Sequence, residues 1–491
     1  MSTQNQDFPG ERKRTFGVEL EIIVAWLWDD EPDPHQAIAS TLPPILRCPV
    51  SLKKAYDEGT VVGEEKITKL IFKTFTDILK KHGLPTDLME GIYDQWRIKS
   101  DETVSSIEGD YKWSGMEIVS PVERASDESF QLIRYTLDLL RSNYRIMVNN
   151  TCGLHVHVGD GSELMPLDHV KRVAGLFWAA DPLLACIHPP HRRTNFWCQS
   201  IRERSNLAHG LIRDDDNQTH LSTCNYLGGS TRHGESPVSW REKYHDPRHL
   251  RAYEATRVQH DFEPFFMKDP NDRSASGNNR NITPSSSDGN LDIDIQVEKY
   301  AADKGSWDAM PKTPYVSTRD RKTPRFAYPV YTPEDPNQTM FSVLDDKAED
   351  DIGVFAGVQE IYSCVSSCMI EWLLRAGDRP NYNLRAYACR NHNQRLTRPG
   401  TIEFREALGT VDGKWAETWA RICVGLTQFA IHAPVKEYLA VLCHIDRAAN
   451  EGAPYDVLDL LDEAGLFAEA VVVEKRLIEN KENFRLKVMP N

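Results

Sequence analysis

The sequence predicts an α+β fold in which a mainly antiparallel sheet carries helices packed on one side. Short segments at 16–24, 115–121, 152–160 and 401–408 alternate apolar and polar residues with the period of two expected of half-buried strands. Longer stretches between and after them space their apolar residues by three and four, as helices that bury one face do. Strands with one apolar and one polar face suit an antiparallel sheet better than a parallel sheet covered on both sides.

The first strand reads FGVELEIIV, Phe16 to Val24. Alternation puts Phe16, Val18, Leu20, Ile22 and Val24 on one face, and Gly17, Glu19, Glu21 and Ile23 on the other. Taken alone, such an E-x-E strand is most simply an amphipathic strand with a wet outer face. The run EEKITKLIFKTFTDILKKHG, 64–83, has helical periodicity and closes on a glycine. After WRIKSDETV comes GMEIVSP, 115–121, a short strand ended by proline, and then SDESFQLIRYTLDLLRSN, a helix with a serine or aspartate cap at Ser126. CGLHVHVGD, 152–160, is the third strand, and LDHVKRVAGLFWAADPLL is the next helix.

From Met267 to Arg325 the composition turns to Asn, Ser, Pro and Gly without periodicity, which predicts a disordered insertion at 267–325. Apolar periodicity returns in DIGVFAGVQEIYSCVSSCMIEWLLRAG. It is followed by NYNLRAYAC, the strand TIEFREAL at 401–408, and helices near Trp415–Ile431 and Tyr455–Lys475. The expected organisation is a disordered tail at 1–14, a folded domain in two parts at 15–266 and 326–491, and the insertion between them.

A chain of 491 residues is long enough for one large elaborated domain or two. With 58 basic and 73 acidic residues the formal charge is -15, and no Lys/Arg-rich run marks a nucleic-acid or lipid face, so neither nucleic acid nor membrane is an expected partner. The polar N-terminus MSTQNQDFPGERKRT has no apolar core, and no apolar stretch approaches a transmembrane length. Ten cysteines without CxxC pairs fit reduced, buried thiols in a soluble, cytoplasmic protein.

Each of the four strands segregates apolar residues from a small set of metal- or anion-binding groups: Glu19 and Glu21, Glu117, His155 and His157, and Glu403 with Arg405. In one sheet several carboxylates and imidazoles would stand at close quarters, where like charges repel unless cations occupy the space. Oxygen-rich ligand sets suit magnesium or manganese, while the imidazoles alone would equally suit zinc. Arg405 offers a bidentate clamp to phosphate or carboxylate. The chain has neither a G-x-x-x-x-G-K-[ST] loop nor a G-x-G-x-x-G after a strand, so a nucleotide would be held by metals and arginines.

FGVELE, QWRIKSDETV leading to GMEIVSP, CGLHVHVGD, and NLRAY through TIEFREALGTVDGKWAETW, in that order, resemble the amidoligase family, relatives of glutamine synthetase and glutamate-cysteine ligase among the carboxylate-amine ligases. The resemblance covers residues 15 to about 180 and 350 to 432. It implies a curved antiparallel sheet of glutamine synthetase-like type whose concave face binds divalent ions and ATP. Carried over, Glu19, Glu21, Glu117, His155 and Glu403 become metal ligands, Arg405 contacts phosphate or a substrate carboxylate, His157 stands behind the ligands or contacts substrate, and Asp101 binds substrate or its amine.

The implied chemistry is transfer of the ATP γ-phosphoryl group to a carboxylate, followed by amine attack on the acyl phosphate, with Mg2+ or Mn2+ as cofactor. The substrates would be carboxylates and amines of amino acids, peptides or protein-derived groups. A metal-dependent hydrolase and a catalytically degenerate binding module are the other expectations. The long segments between Val24 and Trp96 and between Ile201 and Tyr328 depart from simpler relatives, so the substrate pair and the oligomeric state are not legible.

Overall fold

The computed structural model describes residues 14–59, 61–86, 94–210, 315–317, 319–327, 347–348, 351–364, 366–377, 379–388 and 400–489. The chain forms two compact units, Met1–Val158 with Glu403–Gly425, and Gly159–Ile402 with Leu426–Asn491.

The first unit is built on strand β1, Thr15–Trp28, in which only Glu19 is less than fully buried. It extends past the predicted end at Val24 because Ala25–Trp28 are themselves buried and Trp26–Trp28 pair with strand β2, Leu46–Cys48, in parallel. The remaining strands are β3 (Arg97–Lys99), β4 (Lys112–Val119), β5 (Glu123–Arg124), β6 (Ile146–Met147), β7 (Gly153–Gly159) and β8 (Thr401–Leu408). Their order is β3-β4-β1-β7-β8, with β2, β5 and β6 also pairing with β1. The β1–β4, β3–β4, β1–β5 and β1–β6 pairs are antiparallel, which together with the helices makes the fold α+β.

Register decides what meets across the sheet. Glu21 is opposite Glu117, and Glu117 is opposite Lys99, so these three side chains form one row on one face. Farther along the same face Ile23 is opposite Gly115. A Cβ on Gly115 would come 2.6 Å from the Val104 carbonyl oxygen, so only glycine lets the WRIKSDETV turn close over the sheet there. Val104, Ile23 and Cys152 form a small apolar cluster at that point.

The opposite face of β1 is apolar core. Phe16 stacks on Phe130 with ring centroids 4.5 Å apart. Phe130 belongs to the helix Asp127–Asn143, which Ser126 caps by accepting from the Ser129 N–H, while Asp127 and Glu128 lie at its positive end. Its buried Phe130, Ile133, Leu137 and Leu140 recur at helical spacing, each contributing about 1.5–3 kcal/mol on burial. Residues 413–425 of the helix Gly413–His432 lie against it, with Arg421 donating to Asp127 at 2.6 Å and standing over the Phe130 ring. The helices therefore cover one face of β1 and leave the acidic face to the site.

The second unit is largely helical. Leu167–Leu184 is buried along most of its length, and its fully buried Asp181 accepts hydrogen bonds from the Ser200 hydroxyl, the Arg202 N–H and Asn381 Nδ2. Val354–Ser363 and Ser367–Leu373 follow the expected apolar pattern as two helices. The predicted helix Tyr455–Lys475 is instead two, Val457–Glu463 and Phe467–Asn480, because Gly465 between them has φ of 75°. A helix at Val435–Glu451, entered from Pro434, was not anticipated.

Most of the expected insertion, 267–314, and the tail at 1–13 lie outside the described residues. The end of the expected insertion is ordered by charge. Arg319 pairs with Asp462, Arg321 with Asp456 and Asp459, and Arg325 with Asp459. The Lys322 and Thr323 N–H groups donate to Glu474. Three residues later Phe326–Ala327 pairs antiparallel with Lys487–Val488.

Among the described residues Cys48, Cys152, Cys186, Cys198, Cys364, Cys423 and Cys443 remain thiols, but Cys368 is disulfide-bonded, against the expectation of reduced thiols throughout. No described helix is long and apolar enough to cross a membrane.

Candidate functional site

The acidic face of β1 is not a wet outer surface. Glu21 is 3 % exposed, Glu117 2 % and His155 3 %. Burying so many ionisable groups is costly unless they pair with one another or with a bound ion.

His155 lies in the middle of the group. Its Nδ1 is 3.2 Å from Glu19 Oε2 and 3.8 Å from Glu403 Oε1, and its Nε2 is 3.6 Å from Glu21 Oε1. The Arg405 guanidinium reaches the same Nδ1 at 3.5 Å and pairs closely with Glu403 on its own strand. His157, two residues on and so on the same face, points Nε2 at Glu19 Oε1, 3.3 Å away, and at Glu403 Oε1, 4.0 Å away. Glu19, His157 and Glu403 each offer one donor atom, all within 4.8 Å of one another, a spacing that can hold a metal ion.

Glu21 is fixed differently. The Gly153 N–H donates to its Oε2 at 2.5 Å. A Cβ on Gly153 would lie 2.6 Å from His155 Nε2 and 3.3 Å from Glu21 Oε2, so the glycine that opens β7 makes room for both. Glu117 is tied to Lys99, whose Nζ is 3.0 Å from its Oε2. Asp101 is engaged in its own turn, accepting from the Thr103 N–H at 2.7 Å and hydroxyl at 2.5 Å.

The electrostatics follow from these contacts. Burial alone would raise the Glu19 carboxyl, but the His157 charge and hydrogen bonds from both histidines pull it well below the usual carboxylate range. Burial is likewise outweighed at Glu403, where Arg405 and the two imidazoles bring the carboxyl down to about 2. At Glu21 burial wins and the carboxyl is raised. At Glu117 burial and the neighbouring Glu19 charge raise it well above its ordinary value, against the pull of Lys99. The His157 imidazole is raised because Glu19 outweighs its burial.

The structure thus brings Glu19, Glu21, His155, His157, Glu403 and Arg405 together, with Glu117 in the adjoining row beside Glu21. The three-residue donor set contains His157, while His155 is sandwiched between Glu19 and Glu21. Asp101 hydrogen-bonds to Thr103 within its own turn, and its charge adds to the rise at Glu21. Lys99 and Gly153 were not singled out from the sequence. No local signal pairs Lys99 with Glu117, whereas the signal for Gly153 is its place two residues before His155 at the start of the strand.

Searches of the curated proteins and of the solved structures returned no match. A family model described as "Putative amidoligase enzyme" matches residues 12–263, just over half of the 491-residue chain. The matched stretch carries β1, β3, β4 and β7 with their site residues, and Glu403 and Arg405 lie beyond it. The chain belongs to this amidoligase family.

Proposed function

We propose that this protein is an ATP- and magnesium-dependent carboxylate-amine ligase, with a glutamine synthetase-like site on the acidic face of its sheet. The observation that carries the reading is the convergence of Glu19, His157 and Glu403 within 4.8 Å, flanked by Arg405 and by a buried Glu117 whose Oε1 has no hydrogen-bond partner among the described residues. Half-buried, with two carboxylates and one imidazole, this donor set fits a hard divalent cation, magnesium or manganese.

Glu19, Glu403 and His157 would hold the ion, with Glu21, Glu117 and His155 completing its surroundings. When bound, the ion supplies charge neutralisation for a polyphosphate. Arg405 supplies a fixed cation for phosphate or carboxylate oxygens, positioned by Glu403. The γ-phosphoryl group of ATP passes to a substrate carboxylate oxygen, leaving ADP. An amine then attacks the acyl carbon, phosphate departs and an amide forms. No protein nucleophile is needed, and the protein's part is positioning and electrostatic stabilisation. Amino acids, peptides or protein-derived groups are the substrate class.

The test is ADP release from ATP in the presence of magnesium with mixed amino acids or small peptides. The ligase reading predicts turnover that needs both a carboxylate and an amine and yields an amide. Amide cleavage without ATP would replace it with a metal-dependent hydrolase. Failure to bind Mg-ATP would leave a binding module.

A further inference from the structure

Lys99 stands at the β3 end of the site face, across the sheet from Arg405 on β8. The register Lys99–Glu117–Glu21 puts it in the acidic row. Its ammonium is 3.0 Å from Glu117 Oε2, yet its side chain is 52 % exposed while that of Glu117 is 3 % exposed. The lysine therefore approaches the buried carboxylate from the solvent side of an edge strand. It satisfies only one of the two oxygens. Glu117 Oε1 is buried and has no hydrogen-bond partner among the described residues, an expensive state that a bound ligand would relieve. A lysine on a flexible four-carbon stem, already half in water, can withdraw at little desolvation cost.

We infer that Lys99 is a tethered counter-ion that neutralises Glu117 in the unloaded site and yields it to a divalent cation when one binds. Competition with this ammonium then helps to set how much magnesium the protein needs. The inference rests on the cation reading above and adds to it a residue that tunes affinity. An ordinary surface ion pair would do neither, being worth little and indifferent to magnesium.

The test titrates magnesium chloride against the melting temperature of the full chain at fixed ionic strength, without nucleotide, for wild type, Lys99→Met and Lys99→Arg. Removing the competing charge should lower the magnesium concentration at half-maximal shift by roughly three- to tenfold. Lys99→Arg, which keeps the charge, should stay within about twofold of wild type. If methionine at this edge strand impairs folding, Lys99→Gln gives the same reading with a polar, solvated end. A wild-type response with an unchanged or higher midpoint in the neutral variant would overturn the counter-ion role alone. A wild type that does not respond to magnesium would overturn the cation reading and this inference with it.

Discussion

Glu19 and Glu21 sit two positions apart on one face of one strand and are pushed in opposite directions. Glu19 meets two imidazoles and is held low, whereas Glu21 is raised by burial that the Gly153 N–H and His155 do not offset. Alternation in FGVELEIIV is enough to segregate both from the core, because a period of two leaves a strand no other choice. It cannot say which imidazole faces which oxygen, since that depends on register between strands far apart in sequence. Lys99 escaped notice for the same reason: nothing local to WRIKSDETV reveals that it lies opposite Glu117.

Residue-level roles on β8 should separate by mutation. Glu403→Ala should weaken divalent-ion binding, while Arg405→Lys should leave metal affinity nearly intact and slow turnover by roughly ten- to a hundredfold through loss of the bidentate fork. The Glu403 carboxyl, which Arg405 and the imidazoles hold at about 2 against its burial, adds stability that is complete above its usual 4.5 and lost as pH falls toward about 2. Glu403→Ala should therefore flatten the acid limb of the melting profile in that window. Equal loss of metal affinity in both variants would show that the two roles are misassigned.

At the scale of elements, the clearest local signals produced the clearest agreement. The Ser126 cap and the apolar spacing after it give a helix at Asp127–Asn143, and TIEFREAL is a strand over Thr401–Leu408. The segment 455–475 misled because its apolar rhythm runs through Gly465, whose left-handed backbone breaks it in two. The end of the low-complexity stretch misled in another way. Composition cannot show that Arg319, Arg321 and Arg325 return to three carboxylates on one short helix more than a hundred residues later.

A deletion should expose that difference. Removing 271–314 should leave the melting temperature within a few degrees of wild type, whereas removing 271–323 also takes away Arg319 and Arg321 and strands Asp456 and Asp462. An uncompensated buried charge costs on the order of 3 kcal/mol. The longer deletion should thus melt several degrees lower or fail to fold, as thermal denaturation would record. Equal stability of the two would mean that the arginine ties are incidental.

For the whole molecule, the site belongs to one compact unit assembled from two segments far apart in the sequence, residues 1–158 and 403–425. The family match ends at residue 263, and it is the fold that brings Glu403 and Arg405 back to Glu19. The central claim is that this buried acidic face exists to hold a cation for Mg-ATP chemistry. The direct measurement is the melting temperature of wild type, Glu19→Gln and Glu21→Gln, each with and without magnesium and ATP. Amidation keeps size and packing but removes charge, so both variants should fold: Glu21→Gln, whose carboxyl burial raises, with apo stability unchanged or raised by on the order of 1 kcal/mol, and Glu19→Gln, whose charge the imidazoles hold, with apo stability unchanged or lowered. Their ligand-induced shift should be severely reduced relative to wild type. A wild-type shift that survives undiminished in both variants would contradict the account and return this pair to a structural role.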